Sequence, residues 1–110
     1  MEVFPRTTLR PTQEQYFRDG FLYYLGPVQD RRATGNGKLF WKNGKVRYDG
    51  EFREGRFHGQ GILFDQRGFR IYQGEFREGR FHVGAYYDKD DNLMYEGRFP
   101  PPTLLPEPPN

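Results

Sequence analysis

One octapeptide phrase occurs twice in this chain and constrains the fold more than any other feature. Glu51-Phe52-Arg53-Glu54-Gly55-Arg56-Phe57-His58 returns as Glu75-Phe76-Arg77-Glu78-Gly79-Arg80-Phe81-His82, so that the step from Glu51 to Glu75 defines one repeat length. In a chain of 110 residues such a copy marks a repeat architecture, in which stacked units bury together what none buries alone. The same step extends beyond the phrase. Tyr72-Gln73-Gly74 falls on Tyr48-Asp49-Gly50 and on Tyr24-Leu25-Gly26, and Gly68 falls on Gly44 and Gly20. Gly59-Gln60-Gly61-Ile62-Leu63-Phe64 likewise falls on Gly35-Asn36-Gly37-Lys38-Leu39-Phe40. The third unit, around His82-Val83-Gly84, keeps step only if one residue is dropped, and Tyr95-Glu96-Gly97-Arg98-Phe99 restates the opening once more.

Strands rather than helices suit these units. Aromatic residues make up 18% of the chain against 35% for all hydrophobics, so the apolar content sits in rings that favour strands. Fourteen Gly and nine Pro argue against long helices. The glycines of Asp19-Gly20, Asn43-Gly44 and Arg67-Gly68 each follow a polar residue, as in hairpin turns. The fold class expected is all-β: a single-layer twisted antiparallel meander of stacked β-hairpins with extended termini. Residues 1–14 read as an extended arm carrying Pro5 and Pro11, 15–99 as the repeat domain, and 100–110 as a proline-rich tail. Thr12 to Gly20 has two readings. Thr12 and Gln15 stand at capping-box spacing with Gly20 as a stop, whereas the repeat makes the same stretch half a hairpin unit, and the repeat favours strand. Between Gly26 and Gly35 the Phe-x-x-Gly turn is lost, and Pro27, Gln29, Asp30, Arg31 and Arg32 read as a longer, variable loop.

The spacing also suggests a register. With Phe52 opposite Phe57 across a four-residue loop, Gly50 faces Gly59 and Tyr48 faces Gly61; in the next hairpin Gly61 faces Tyr72 and Gly59 faces Gly74. Gly61 would then seat two tyrosine rings, as glycines do in aromatic rescue. Alternation puts Tyr48, Phe52, Phe57, Tyr72, Phe76 and Phe81 on one face as an aromatic ladder. Ile62, Ile71, Phe64 and Phe69 fall on the other.

Catalytic chemistry finds little support. Without cysteine the chain has no disulfide framework, no thiolate zinc site and no cysteine nucleophile. His58 and His82 occupy equivalent places two strands apart, which separates their Cα atoms by roughly 10 Å, far for one shared ion. Glu51 with Glu75, and Glu54 with Glu78, recur at the same spacing, but alternating Arg and Glu on turns suits a solvated surface better than an acid–base pair. The Gly-x-Gly pairs at Gly35 and Gly59 have no helix after them to complete a phosphate loop. No catalytic residue, metal site or cofactor is expected.

Binding is the better-supported class. The ladder Tyr48, Phe52, Phe57, Tyr72, Phe76 and Phe81 supplies the rigid anchors that protein interfaces favour, so a protein partner, or a second copy in a homodimer, is expected on it. Arg53, Arg56, Arg77 and Arg80 should line one rim with Arg31 and Arg32 nearby, an alternative site for anionic phospholipid or a small phosphorylated ligand. A net charge of +2 falls well short of the clustered excess of a nucleic-acid binder, so nucleic acid is not expected. With no apolar run of membrane-spanning length and no signal-peptide core in Met1 to Arg10, a cytoplasmic location is expected.

The positions Tyr48, Gly50, Phe52, Gly55, Gly59 and Gly61, partially restated from Tyr24, Tyr72 and Tyr95, resemble the MORN (membrane occupation and recognition nexus) repeat. Departures are Phe52 and Phe76, where many members carry Trp, and Val83, where a glycine is missing. The third unit, Gly84 to Phe99, is also similar to repeats of bacterial proteins labelled antitoxin-like, which adds a toxin-neutralising inhibitor as a further alternative. The resemblance implies an antiparallel hairpin array acting as a non-catalytic scaffold that binds proteins, often as a homodimer, with phospholipid binding as a second implied activity.

Overall fold

A computed structural model describes residues 14–102 of the chain. Ten strands follow one another: β1 Glu14–Arg18, β2 Phe21–Gly26, β3 Val28–Gln29, β4 Arg32–Ala33, β5 Gly35–Phe40, β6 Val46–Arg53, β7 Arg56–Phe64, β8 Arg70–Arg77, β9 Arg80–Tyr87 and β10 Leu93–Arg98. Eight form one antiparallel sheet in the order β1-β2-β5-β6-β7-β8-β9-β10, and β3 and β4 form a short hairpin of their own. There is no helix among the described residues, and Gln15 to Gly26 is strand and turn. The all-β meander expected from the repeat is the observed architecture. The expectations for the N-terminal arm and for the tail beyond Pro102 lie outside the described residues.

The hairpin tips are tighter than a four-residue loop. Arg53 pairs with Arg56 and Arg77 with Arg80, leaving two-residue turns at Glu54-Gly55 and Glu78-Gly79. Both residues of each turn have positive φ, at 52° and 80° in the first and 53° and 84° in the second. That is the type I′ geometry whose twist matches the flanking strands. Asp30 and Arg31, which stand one repeat length before Glu54 and Gly55, do the same at 52° and 67°. The stretch expected as a variable loop is therefore a further hairpin tip, in which Arg31 occupies the left-handed position held elsewhere by glycine.

Register departs from the simple reading in one respect. Phe52 faces Phe57, as expected, but Gly50 faces Gly61 and Tyr48 faces Leu63. A bulge accommodates the difference: Glu51 stands on β6 against His58, Gly59 and Gln60 on β7, with Gly59 at a φ of 62°. In the next hairpin Gly61 faces Gly74 and Leu63 faces Tyr72. The repeat length survives while the expected glycine pairings shift along the strands. The residue dropped from the third unit is lost from this bulge, since between Gly74↔Gly84 and Phe76↔Phe81 only one extra residue, His82, remains.

The bulges and facing glycines crease the sheet. Along a straight strand Phe57 and Leu63 would stand roughly 20 Å apart. Yet the ring of Tyr48, opposite Leu63, stacks on Phe57 at 3.9 Å between centroids and 11° between planes. Tyr72 stacks on Phe81 in the same way at 4.0 Å and 1°. Each hairpin folds over its own tyrosine, so a single sheet makes a trough filled with rings. Units then interlock edge to face: Tyr24 meets Phe52 at 5.3 Å, Tyr48 meets Phe76 at 5.3 Å and Tyr72 meets Phe99 at 5.5 Å. This is how stacked hairpins bury together what a lone hairpin leaves wet. Leu63 and Ile71 also pack on this core. Ile71, assigned by alternation to the opposite face, lies beside a register shift at Leu63/Phe64 that breaks the alternation.

Candidate functional site

Four members of the aromatic ladder are interior. Tyr48 and Tyr72 are 0% exposed, Phe76 1% and Phe52 5%, while Phe57 and Phe81 are half-buried against them. The structure brings all six together, but as the core of the trough. Burial in the creased sheet encloses Tyr48, Phe52, Tyr72 and Phe76 and leaves part of Phe57 and Phe81 at the surface.

Glycines set the crease by admitting the tyrosines. A Cβ on Gly61 would lie 2.6 Å from Cζ and 2.7 Å from Cε1 of Tyr48, and one on Gly84 would lie 2.6 Å from the Tyr72 hydroxyl. Each ring thus lies over the glycines of its own hairpin, Tyr48 on Gly50 and Gly61 and Tyr72 on Gly74 and Gly84. The expectation that Gly61 seats both Tyr48 and Tyr72 does not hold, because Tyr72 stands opposite Leu63 and its ring reaches the next glycine pair.

Each hydroxyl then ties its ring to the backbone just beyond the following glycine. Tyr24, Tyr48, Tyr72 and Tyr95 donate to the carbonyl three residues on, at Pro27, Glu51, Glu75 and Arg98, over 2.6–2.8 Å. The Tyr72 hydroxyl also accepts from the His82 N–H at 3.3 Å. Burial raises the Tyr24 hydroxyl to about 12, partly countered by the N–H of Thr34. Burial, followed by the nearby Glu51 carboxylate, raises Tyr48, and burial raises Tyr72.

Of the arginines expected on one rim, Arg53, Arg56 and Arg77 line one cleft and Arg32 and Arg53 a second, while Arg80 lines neither. A cleft of about 350 Å³ lies between the tips of adjacent hairpins, lined by Arg53, Glu54, Arg56, His58, Arg77 and Glu78. A second, of about 300 Å³, is lined by Gln29, Asp30, Arg32, Thr34, Arg53 and Glu54. The second set is the first moved back by one repeat length. The tips are held at this spacing by Gly55 N–H donating to Ala33 O at 3.0 Å and Gly79 N–H to Phe57 O at 2.9 Å. Among the described residues none of Arg53, Arg56, Arg77 and Arg80 forms an ion pair with Glu54 or Glu78. Arg31 points elsewhere, into the hollow described next. His58 lines the first cleft, and no group of three or more His, Asp or Glu among the described residues is placed to hold a metal ion.

One site was not anticipated from sequence. A hollow of about 380 Å³ opens at the first unit over Tyr24, Val28, Ala33, Leu39 and Phe52, flanked by Tyr16, Phe17, Arg18, Arg31 and Arg32. Stepping back one repeat length from Phe52 and Phe57 leads to Val28 and Ala33, so the substitution that opens it was present in the repeat alignment.

Residues 32–46, 48–68 and 72–83 match the family model of the MORN repeat. Residues 32–83 are a MORN-repeat array. The three matched segments run from β4 to β9 and contain both copies of the octapeptide. No curated protein matches the chain significantly. MORN repeats are generally associated with binding to proteins or membrane lipids, and the family is a binding repeat with no known catalytic role. No helix among the described residues is long and apolar enough to cross a membrane.

Proposed function

We propose that this chain is a non-catalytic, cytoplasmic protein-interaction scaffold, rigid along its MORN core and sticky at its ends, and that it pairs with a second copy of itself. The observation that carries this reading is the location of the exposed apolar side chains. Of the six large hydrophobics exposed among the described residues, Tyr16 and Phe17 lie on β1 and Leu93 and Met94 on β10. These are the two edge strands of the sheet. An edge offers a row of backbone donors and acceptors to a further strand, and apolar side chains on it strengthen such pairing. The ladder from Tyr48 to Phe81 acts in this reading as the stiffener that holds the two edges in place.

Light scattering over a range of concentrations tests the proposal. A dimer that Phe17→Lys or Leu93→Lys converts to monomer supports it. A chain that stays monomeric at every concentration, and forms no complex with any protein of its native cell, overturns it.

A second reading rests on the unpaired guanidinium groups of the two clefts, which suit phosphate oxygens. Sedimentation with vesicles containing anionic lipid, compared with neutral vesicles, separates it from the first. Arg53→Glu with Arg77→Glu should abolish any such binding.

A further inference from the structure

Each complete MORN unit places a phenyl ring against its tyrosine. Phe57 stacks on Tyr48 at 3.9 Å and Phe81 on Tyr72 at 4.0 Å. In the first unit the equivalent residue is Ala33, and Val28 replaces the second phenylalanine that Phe52 and Phe76 provide. Tyr24 keeps the same hydroxyl bond to the carbonyl three residues on, 2.8 Å to Pro27, and the same edge contact with the following unit. The unit is therefore built like the others but lacks its own two rings, and the hollow of about 380 Å³ lies where they would be.

We propose that this hollow is a socket for one aromatic side chain of an acidic protein segment. The inference rests on the protein-binding reading above and gives it a site and a ligand chemistry. Two observations choose the occupant. The shape is set by the repeat, since the same backbone frame holds a phenyl ring in both later units. The charge is set by the lining: Arg18, Arg31 and Arg32 border the hollow, and among the described residues no acidic one lines it. An aromatic residue with carboxylates on either side would bury its ring over Val28 and Ala33 while the guanidinium groups meet its neighbours. Phe17, 64% exposed at the margin, supplies a further apolar wall.

The probe is a capped heptapeptide with one phenylalanine between aspartates, titrated calorimetrically into the full chain. Replacing its phenylalanine by alanine, or its aspartates by lysines, should each weaken binding by about tenfold or more. Ala33→Phe supplies the missing ring from within. It should cut peptide affinity by about tenfold or more while raising the urea midpoint, so loss of binding cannot be loss of fold. Arg31→Gly should weaken binding by about threefold, less so at high salt, in a protein that is also more stable.

Equal affinity for the phenylalanine and alanine peptides would overturn the socket, as would unchanged affinity in Ala33→Phe or a lowered urea midpoint in that variant. Phe4→Ala raising peptide affinity would show that the chain's own first residues are the occupant, and a dimer dissociated by the peptide would show that a second copy is; either result overturns an external partner. Self-association without peptide binding would sink the socket and leave the scaffold reading standing. Peptide binding by a chain that never self-associates would do the reverse to the homodimer.

Discussion

Replacing Gly61 by alanine adds one methyl group, and the structure says that this group has nowhere to go. Gly61 has an ordinary strand φ, so the change carries no backbone penalty and its cost is steric. The new Cβ would stand 2.6 Å from Cζ and 2.7 Å from Cε1 of Tyr48, where carbon atoms need about 3.5 Å or more. The ring must retreat by roughly 1 Å. It is held by Phe57 stacked at 3.9 Å, by Phe52 and Phe76 edge-on at 5.0 and 5.3 Å, and by its 2.8 Å bond to Glu51 O. Overpacking of this kind costs about 1–3 kcal/mol, and a part-buried carbonyl left without its donor up to about 1–3 more. Taking the lower half of each range gives about 3 kcal/mol. Gly20→Ala is the matched contrast, because a Cβ there meets nothing within 4 Å and the cost comes only from a φ of 83°. That cost is about 1–2 kcal/mol. Urea unfolding followed by Trp41 fluorescence measures both. If Gly61→Ala is no more destabilising than Gly20→Ala, the tyrosine-over-glycine crease is not what holds the units together.

Arg31→Gly relieves a non-glycine residue from a φ of 67° and should stabilise the chain by about 1 kcal/mol, read as a higher urea midpoint. Alkaline pH should unfold the chain through its tyrosines. Tyr24, Tyr48 and Tyr72 are raised above their ordinary value of 10.0, so their contribution is whole below pH 10 and is lost as pH climbs from there toward 12 and beyond. Each raised group adds up to about 1.4 kcal/mol per pH unit to that loss, and Tyr48→Phe should flatten the pH–stability curve above pH 10 while lowering stability at neutral pH by about 1–2 kcal/mol. Asp65→Ala should cost about 1–2 kcal/mol, since its Oδ1 accepts from the N–H groups of Arg67 at 2.9 Å and Phe69 at 3.0 Å. Burial pushes that carboxyl up, but these bonds and the Arg67 guanidinium outweigh it and leave it lowered. Its contribution is therefore present above its unfolded value near 3.8 and fades as pH falls through the folded one, a fading that acid titration should find missing in the alanine variant.

What the sequence made legible, and what it hid, follows from which interactions repeat. The copied unit carries strand period, turn spacing and the identity of the inward rings, because each is a property of one residue's place in a unit. Register is a property of two strands at once. The spacing pairs Gly59 with Gly50, whereas Gly59 takes a φ of 62° and opens a bulge that moves Gly50 opposite Gly61. Nothing in Gly59-Gln60-Gly61 alone says which glycine turns left-handed. The first unit was hidden for a different reason: Val28 and Arg31 erase the Phe-x-x-Gly signature, yet Asp30 and Arg31 still turn at 52° and 67° because the stacked tips on one side hold them there. A neighbouring unit can thus impose a turn that local propensity disfavours, at the modest strain Arg31 stores. Alternation along a flat sheet predicts an open aromatic face, whereas the crease turns Tyr48, Phe52, Tyr72 and Phe76 inward. The crease at the paired glycines buries most of the ladder. What the repeat leaves exposed are its edges, its tips and the hollow of the first unit, which are the positions where the repeat stops repeating.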